Sequence, residues 1–325
     1  MKVFVTGATG FIGKYLIAQL LEKGVEVNGL VRDLEKAKYL EEQGVKLYQG
    51  DITDIESMRD GMTGCDVVYH MAGYYKLGAN DAKEKADRIN IDGTRNVCSL
   101  ALELKIPKFV YVSTLATYGD TKGKAVLEEQ QPATAPTTSH YDRTKWQAHK
   151  IVKGFIAKGL PAVITMPGIV FGIGDHSVYG EALDFFLKGW LFVVPGYETG
   201  LTYVHVKDVA AALILAAEKG KPGEYITSGP CFTVGELFDL WAEVSGRRAP
   251  KIRIPAAFIR PSWPVMQLIG YLIPLPQLLS GEVTRIIGVT YYGDSSKVKR
   301  ELGWEPQPVR QRLIETLIEM GEIKA

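Results

Sequence analysis

The sequence is short of the residues that staple or metallate a fold. Its 325 residues include three cysteines, Cys65, Cys98 and Cys231, far apart and without a Cys-x-x-Cys pair. An odd, scattered set excludes a disulfide framework and fits a reducing compartment. Five histidines, His70, His140, His149, His176 and His205, contain no His-x-x-x-His pair. No metal site is expected. A charge surplus of either sign is also missing: 38 Lys and Arg face 37 Asp and Glu. Nothing in that balance would hold nucleic acid. The first apolar run starts at Lys2, leaving no place for a signal peptide ahead of it, and a cytoplasmic location is expected.

Long hydrophobic runs are scarce. One stretch, Pro261 to Gly281, carries no charged residue and has the length of a bilayer span. It also holds Pro261, Pro264, Pro274 and Pro276. A proline inside a helix costs about 3 kcal/mol or more. The expectation is a greasy pocket wall, or a patch resting on a membrane surface, rather than a crossing helix.

What is present is alternation. Apolar runs at Val25–Val31, Val45–Tyr48, Val67–Met71, Phe109–Val112 and Ala162–Met166 read as buried parallel strands. Helical stretches lie between them at Leu34–Gln43, Ile55–Met62, Ile91–Leu104 and Lys145–Ala157. The pattern predicts an α/β fold with a doubly wound parallel sheet and ligands at the carboxyl ends of its strands. Later, Tyr179–Lys188 and Val206–Glu218 read as helices, Gly223–Thr227 as a returning strand, and Thr233–Ser245 as an amphipathic helix with a Thr cap. Residues 1–170 and 205–230 are expected to form a dinucleotide-binding domain. Residues 171–204 and 231–325 are expected to form a smaller, interleaved substrate-binding domain.

The opening run Lys2–Thr6 leads into Gly7, Gly10 and Gly13, then a helix over Lys14–Lys23. A strand, a glycine turn and a helix N-terminus in that order suit a dinucleotide pyrophosphate. The second strand ends Val31-Arg32-Asp33. An acid there favours the ribose hydroxyl of NAD, whereas an arginine favours the 2′-phosphate of NADP. Because Arg32 comes first, NADP is expected. Asp33 also reads as a helix N-cap. Asp51 and Ile52, after the third strand, are placed to meet the adenine.

Tyr141 and Lys145 stand at i and i+4, on one helix face. A nearby ammonium favours the phenolate, and such a tyrosine can pass a proton near neutrality. Carbonyl reduction and alcohol oxidation need that chemistry. Ser113 or Thr114, at the end of the fifth strand, would bond the substrate oxygen; both also suit strand-end capping.

Together the segments TGATGFIG, HMAG at His70–Gly73, VSTLATYG, YDRTK and YVHVKDVA resemble the extended short-chain dehydrogenase/reductase superfamily. The likeness runs through Asp294–Lys297 and Glu301–Pro306 and is greatest to its dihydroflavonol-reductase-like and steroid-dehydrogenase-like branch. It implies that Tyr141 is the acid/base, that Lys145 binds the nicotinamide ribose and lowers the tyrosine pKa, and that Thr114 is the catalytic hydroxyl. It assigns Gly7, Thr9, Gly10, Phe11, Ile12 and Gly13 to the pyrophosphate. Ala72 and Gly73 would line the cofactor, and Pro167, Gly168, Ile169 and Val170 would lie under the nicotinamide. It also implies pro-S hydride transfer and a homodimer built on Ile91–Leu104 and Tyr141–Ala157.

Two departures bear on the substrate. The arginine that binds diphosphate in the nucleotide-sugar members is replaced by Gly200-Leu201-Thr202, before Tyr203. Their asparagine is missing from Thr165–Gly168, where the usual Arg-Pro is Met166-Pro167. A diphosphate needs charged donors. The expected activity is NADP-dependent reduction of a ketone or aldehyde of a neutral, fairly hydrophobic molecule, or the reverse oxidation. The alternatives are a nucleotide-sugar epimerase or dehydratase with tightly bound NAD, and a non-catalytic NADP-binding regulator, against which the intact Thr114, Tyr141 and Lys145 stand.

Overall fold

In a computed structural model, residues 1–75, 82–136, 138–273 and 275–324 are described. Pro274, one of the four prolines of the uncharged run, lies outside them. The amino-terminal part alternates β1 (Lys2–Thr6), α1 (Phe11–Glu22), β2 (Glu26–Val31), α2 (Leu34–Glu42), β3 (Lys46–Gln49), α3 (Glu56–Met62) and β4 (Val67–His70). Then come α4 (Ala82–Ala86), a π-helical turn at Asp87–Gly93, α5 (Thr94–Glu103), β5 (Lys108–Val112), α6 (His140–Ala157) and β6 (Ala162–Met166). The strands fall within a residue or two of the apolar runs, because full burial on both sheet faces leaves few polar positions.

The next elements are β7 (Ile169–Phe171), α7 (Val178–Leu187), β8 (Val193–Pro195), β9 (Gly200–His205), α8 (Val206–Lys219), β10 (Gly223–Ile226) and β11 (Cys231–Thr233). The chain ends with α9 (Val234–Ser245), β12 (Ile252–Ile254), α10 (Ala256–Ile259), α11 (Trp263–Leu272), α12 (Gly281–Ile286), α13 (Ser296–Leu302) and α14 (Val309–Glu319). Thr233 caps α9 in a reciprocal capping box with Glu236.

Seven strands form one parallel sheet in the order β10-β6-β5-β4-β1-β2-β3. The order reverses at β1 and β4, so a crevice opens at their carboxyl ends. One apolar core, with Leu16, Ile17, Val209 and Leu213, fills one face of the sheet. A second, with Phe4, Met58, Phe109 and Ile164, fills the other. The smaller region is built on β11-β9-β7 and on the pair β12-β8, over a core centred on Phe186, Phe238 and Trp241.

Three sequence expectations change. First, α6 begins at His140 rather than Lys145, because Ser139 accepts the Asp142 amide at 3.0 Å and caps it. Second, the single helix expected over Ile91–Leu104 is split by the π turn at Asp87–Gly93. Third, the tail is not confined to the smaller region. Val298, Leu302 and Trp304 join the first core beside the nucleotide-side helices, and the Trp304 indole donates to the Asp208 carbonyl at 2.9 Å. Their apolar side chains cover α8, which would otherwise face water.

The uncharged run forms a short helix, α11, rather than a span. Among the described residues no helix is long and apolar enough to cross a membrane.

Replacing Trp304 with Ala should lower unfolding free energy by about 3 kcal/mol, as for other buried Trp truncations. A urea titration checks this; a loss under about 1 kcal/mol would show that residues 296–304 merely decorate the sheet.

Candidate active site

A cavity of about 480 Å³ runs from the first glycine turn, past the ends of β4, β5 and β6, into the smaller region. Its floor is the turn after β1. Gly7 adopts φ +76°, and a Cβ there would lie 2.8 Å from the Ala72 nitrogen. At Gly13 a Cβ would lie 2.2 Å from the Gly7 carbonyl oxygen. Side chains are thus excluded where α1 approaches the strand. No side chain caps α1, and its first turn holds no acid. Its amides and dipole remain available to an anion. This cradle fits a dinucleotide pyrophosphate.

Arg32 sits exposed just past the end of β2, two residues beyond Leu30, the register partner of Thr6. Its side chain forms no ion pair among the described residues, so it is available to a phosphate. Asp33 is occupied as the N-cap of α2, accepting from the Lys36 amide at 3.2 Å. Asp51 accepts both the amide and hydroxyl of Thr53, at 2.9 and 2.8 Å. The Ile52 side chain is buried, packed where a Cβ on Gly93 would intrude. Thr9, Arg32, Asp51, Ile52 and Ala72 lie outside the cavity wall. Gly7, Gly10, Phe11, Ile12, Gly13, Gly73, Pro167, Gly168, Ile169 and Val170 line it, with Thr114, Tyr141 and Lys145.

The reactive groups meet at the end of β5. Thr114 caps a short 3₁₀ turn over Leu115–Tyr118 and lines the cavity together with Tyr141. Ser113 does not compete for this role. Its hydroxyl is buried and shared with His149 Nδ1 at 2.9 Å, while His149 Nε2 meets Glu224 at 2.6 Å. The structure thus separates two hydroxyls that the sequence leaves equivalent.

Lys145 reaches the carboxyl end of β5. Its ammonium donates to the Tyr111 hydroxyl at 3.1 Å and to the Val112 carbonyl at 2.9 Å. Burial pulls its pKa down to about 7. Tyr141 is not depressed. Burial, then the neighbouring Asp142, hold its pKa well above the ordinary tyrosine value, with the Thr114 hydroxyl opposing them. The phenol therefore keeps its proton at neutral pH and is poised to donate it. Behind Lys145 runs a buried polar chain. His70 bonds Thr6 at 2.8 Å and Thr94 at 3.0 Å, and stacks on the Tyr111 ring at 5.4 Å. Burial, aided by the Lys145 charge, lowers the His70 pKa to about 3, so this ring is neutral.

Several residues in or behind the wall escape sequence reasoning. Asn90, in the π turn, bonds the Tyr74 backbone at 2.7 and 3.1 Å and the Thr144 hydroxyl at 3.0 Å, tying the β4 loop to α6. The Tyr75 ring packs edge-on against Tyr141 at 4.9 Å. Asp142 accepts from Thr138 and, at 3.0 Å, from Tyr291; burial raises its pKa to about 6. Asp175 Oδ1 accepts the Ser177 amide at 2.8 Å, while the buried Oδ2 has no hydrogen-bond partner among the described residues. Most of the remaining wall is apolar, with Leu191, Phe238, Leu278, Val283 and Ile287, and among the described residues no arginine lines it. No cluster able to hold a metal occurs among the described residues. Only the uncharged run hinted at this apolar wall.

The buried ammonium makes a pH-dependent prediction. Between about pH 7 and 10 the unfolded chain binds the proton that folded Lys145 has lost, so its cost to stability is full below pH 7 and fades as pH rises. Lys145→Met should therefore gain on the parent by about 2 kcal/mol or more at pH 6, shrinking towards pH 10. Urea midpoints at both pH values check this. A difference independent of pH would mean that the ammonium is not desolvated.

Comparison with known proteins gives a consistent picture. Residues 3–228 match the NAD dependent epimerase/dehydratase family. The chain is 29% identical, over 99% of its length and 97% of the relative's, to a 4-hydroxy-2-methyl-3-oxo-4-farnesyl-3,4-dihydroquinoline-1-oxide ketoreductase of Stigmatella aurantiaca. It is also 29% identical to a putative dihydroflavonol 4-reductase of Synechocystis sp., over 97% of this chain and 93% of that one. Among solved structures, a UDP-glucose 4-epimerase of Thermotoga maritima aligns with TM-score 0.79 over 99% of both chains, at 23% identity. That likeness speaks for the fold alone.

Proposed function

Since the chain belongs to the NAD dependent epimerase/dehydratase family and is an enzyme of the extended short-chain dehydrogenase/reductase type, we propose that it reduces the ketone or aldehyde of a neutral, apolar molecule with NADPH. The observation that carries this reading is the cavity beyond Tyr141. Its wall is largely aliphatic and aromatic, contains Asp142 and Asp175, and holds no arginine among the described residues, Lys145 being its cation at the nicotinamide end. Two acids and no guanidinium on the substrate side would disfavour a nucleotide diphosphate, which needs charged donors. The farnesyl group in the name of the Stigmatella relative supports an apolar substrate.

Gly7, Gly10 and the α1 amides would hold the pyrophosphate, Arg32 a 2′-phosphate, and Lys145 the nicotinamide end. A nicotinamide dinucleotide bound there supplies the hydride that the carbonyl carbon accepts. Tyr141 gives its proton to the carbonyl oxygen and regains one from solvent. Thr114, in the same cavity wall as that phenol, offers its hydroxyl to the developing oxyanion. One preorganised donor of this kind contributes about 10²–10³ in rate.

A panel of ketones and aldehydes ranked by hydrophobic size, assayed with NADPH and NADH beside nucleotide sugars, tests the proposal. Turnover should rise with apolar size. Arg32→Ala should raise KM for NADPH by about ten-fold or more, with little change for NADH, since one charge-assisted phosphate contact is lost. Equal effects on both cofactors would remove the NADPH assignment. NAD co-purifying at full occupancy, with conversion of a nucleotide sugar, would replace the reductase with an epimerase or dehydratase.

A further inference from the structure

We propose that α10, α11 and the turn before β8 form a docking face for an anionic lipid bilayer. The α11 sequence Trp263–Leu272 is almost wholly apolar, yet no residue of that helix is buried. Leu272 is 76% exposed, Leu268 61%, and Phe258 of α10 77%. Helices in water are normally held by packing an apolar stripe inward. Here the apolar side chains point out. The pairing of β12 with β8 matches Ile252 to Val193 and so brings Phe192, 75% exposed, beside Lys251. Exposed patches of this kind mark interaction sites.

Charge selects the partner. Residues 246–281 contain five cations, Arg247, Arg248, Lys251, Arg253 and Arg260, and no acid. Arg247 pairs with Glu322 and Arg253 with Asp239. Arg248, Lys251 and Arg260 are exposed and form no ion pair among the described residues. Lys188 lies over the Trp190 ring. Aromatic and aliphatic side chains rimmed by cations suit the headgroup region of an anionic leaflet. A second copy of the chain would instead oppose these cations to their own kind. Ten helical residues span about 15 Å, half the hydrocarbon thickness, so α11 would lie in the interface rather than cross it.

The face adjoins the cavity. Leu191 lies between Trp190 and Phe192 in sequence and lines the cavity wall, as do Leu278, Val283 and Ile287 just after α11. An apolar substrate dissolved in lipid would meet the pocket from this side. That last step rests on the proposed substrate class; the docking does not.

Co-sedimentation of the full chain with vesicles tests the proposal without any activity assay. Binding to phosphatidylcholine vesicles containing phosphatidylglycerol should exceed binding to pure phosphatidylcholine by about ten-fold or more, and fall in high salt. The triple variant Phe258→Ser, Leu268→Ser, Leu272→Ser should lose vesicle binding while keeping its circular dichroism spectrum and its affinity for NADPH. Arg248→Glu with Lys251→Glu should lose the preference for the anionic lipid. Absent binding, or equal binding to both vesicles, would overturn the proposal. So would light scattering that shows a dimer which the serine variant dissociates, since the face would then belong to a second copy. Loss of NADPH turnover with vesicle binding intact would count against the proposed reaction and leave the docking face standing.

Discussion

The structure depends on keeping one ammonium out of water. Lys145 is held at the carboxyl edge of the sheet by the Tyr111 hydroxyl and the Val112 carbonyl. Neither partner carries a charge, so they satisfy its protons without repaying its lost hydration. The pKa falls to about 7 as a result. A folded chain tolerates such a group only when the surroundings over-determine its place. Here they do: Tyr111 is stacked on His70, and His70 is fixed between Thr6 and Thr94. The glycine turn and the reactive helix are thereby joined through one buried chain of polar contacts.

From that anchor the rest of the site follows. Ser139 caps α6 six residues before Lys145 and so sets where Tyr141 stands. Asn90 locks the β4 loop to the same helix through Thr144. His149, one turn beyond Lys145, takes the Ser113 hydroxyl and leaves Thr114 to face Tyr141. One helix thus serves the cofactor side, the reactive phenol and the choice of hydroxyl. The smaller region then closes the cavity with apolar side chains and the buried Asp175, facing Asp142 of α6, with no guanidinium among the described residues, so substrate preference is decided by what the wall cannot solvate.

The parallel strands and the glycine turn were legible in the sequence because burial on both faces and the exclusion of a Cβ leave a local signature. So was the pair Tyr141 and Lys145, whose four-residue spacing fixes a shared helix face. The π turn was not, since Asn90 and its neighbours have ordinary helical composition. The residues alone left Ser113 and Thr114 open and the resemblance favoured Thr114; the contact that occupies Ser113 comes from His149, 36 positions away. Spacing suggested that the ammonium acts on the tyrosine, whereas Lys145 donates to Tyr111 and Val112 and burial raises the phenol pKa. The return of Val298, Leu302 and Trp304 to the nucleotide core likewise depends on a surface of α8 that only tertiary packing reveals. Asp142 and Asp175 read as ordinary charged residues until the fold encloses them.

The most direct measurement follows a labelled hydride. NADPH deuterated at the pro-S position is mixed with an apolar ketone in single turnover, and label in the product alcohol is quantified for the parent and for Tyr141→Phe. Transfer by the parent, reduced about 10²–10⁴-fold in the variant with dinucleotide affinity unchanged, is the result that this site requires. Equal transfer by both would contradict it, because the buried phenol would then have no part in moving the proton.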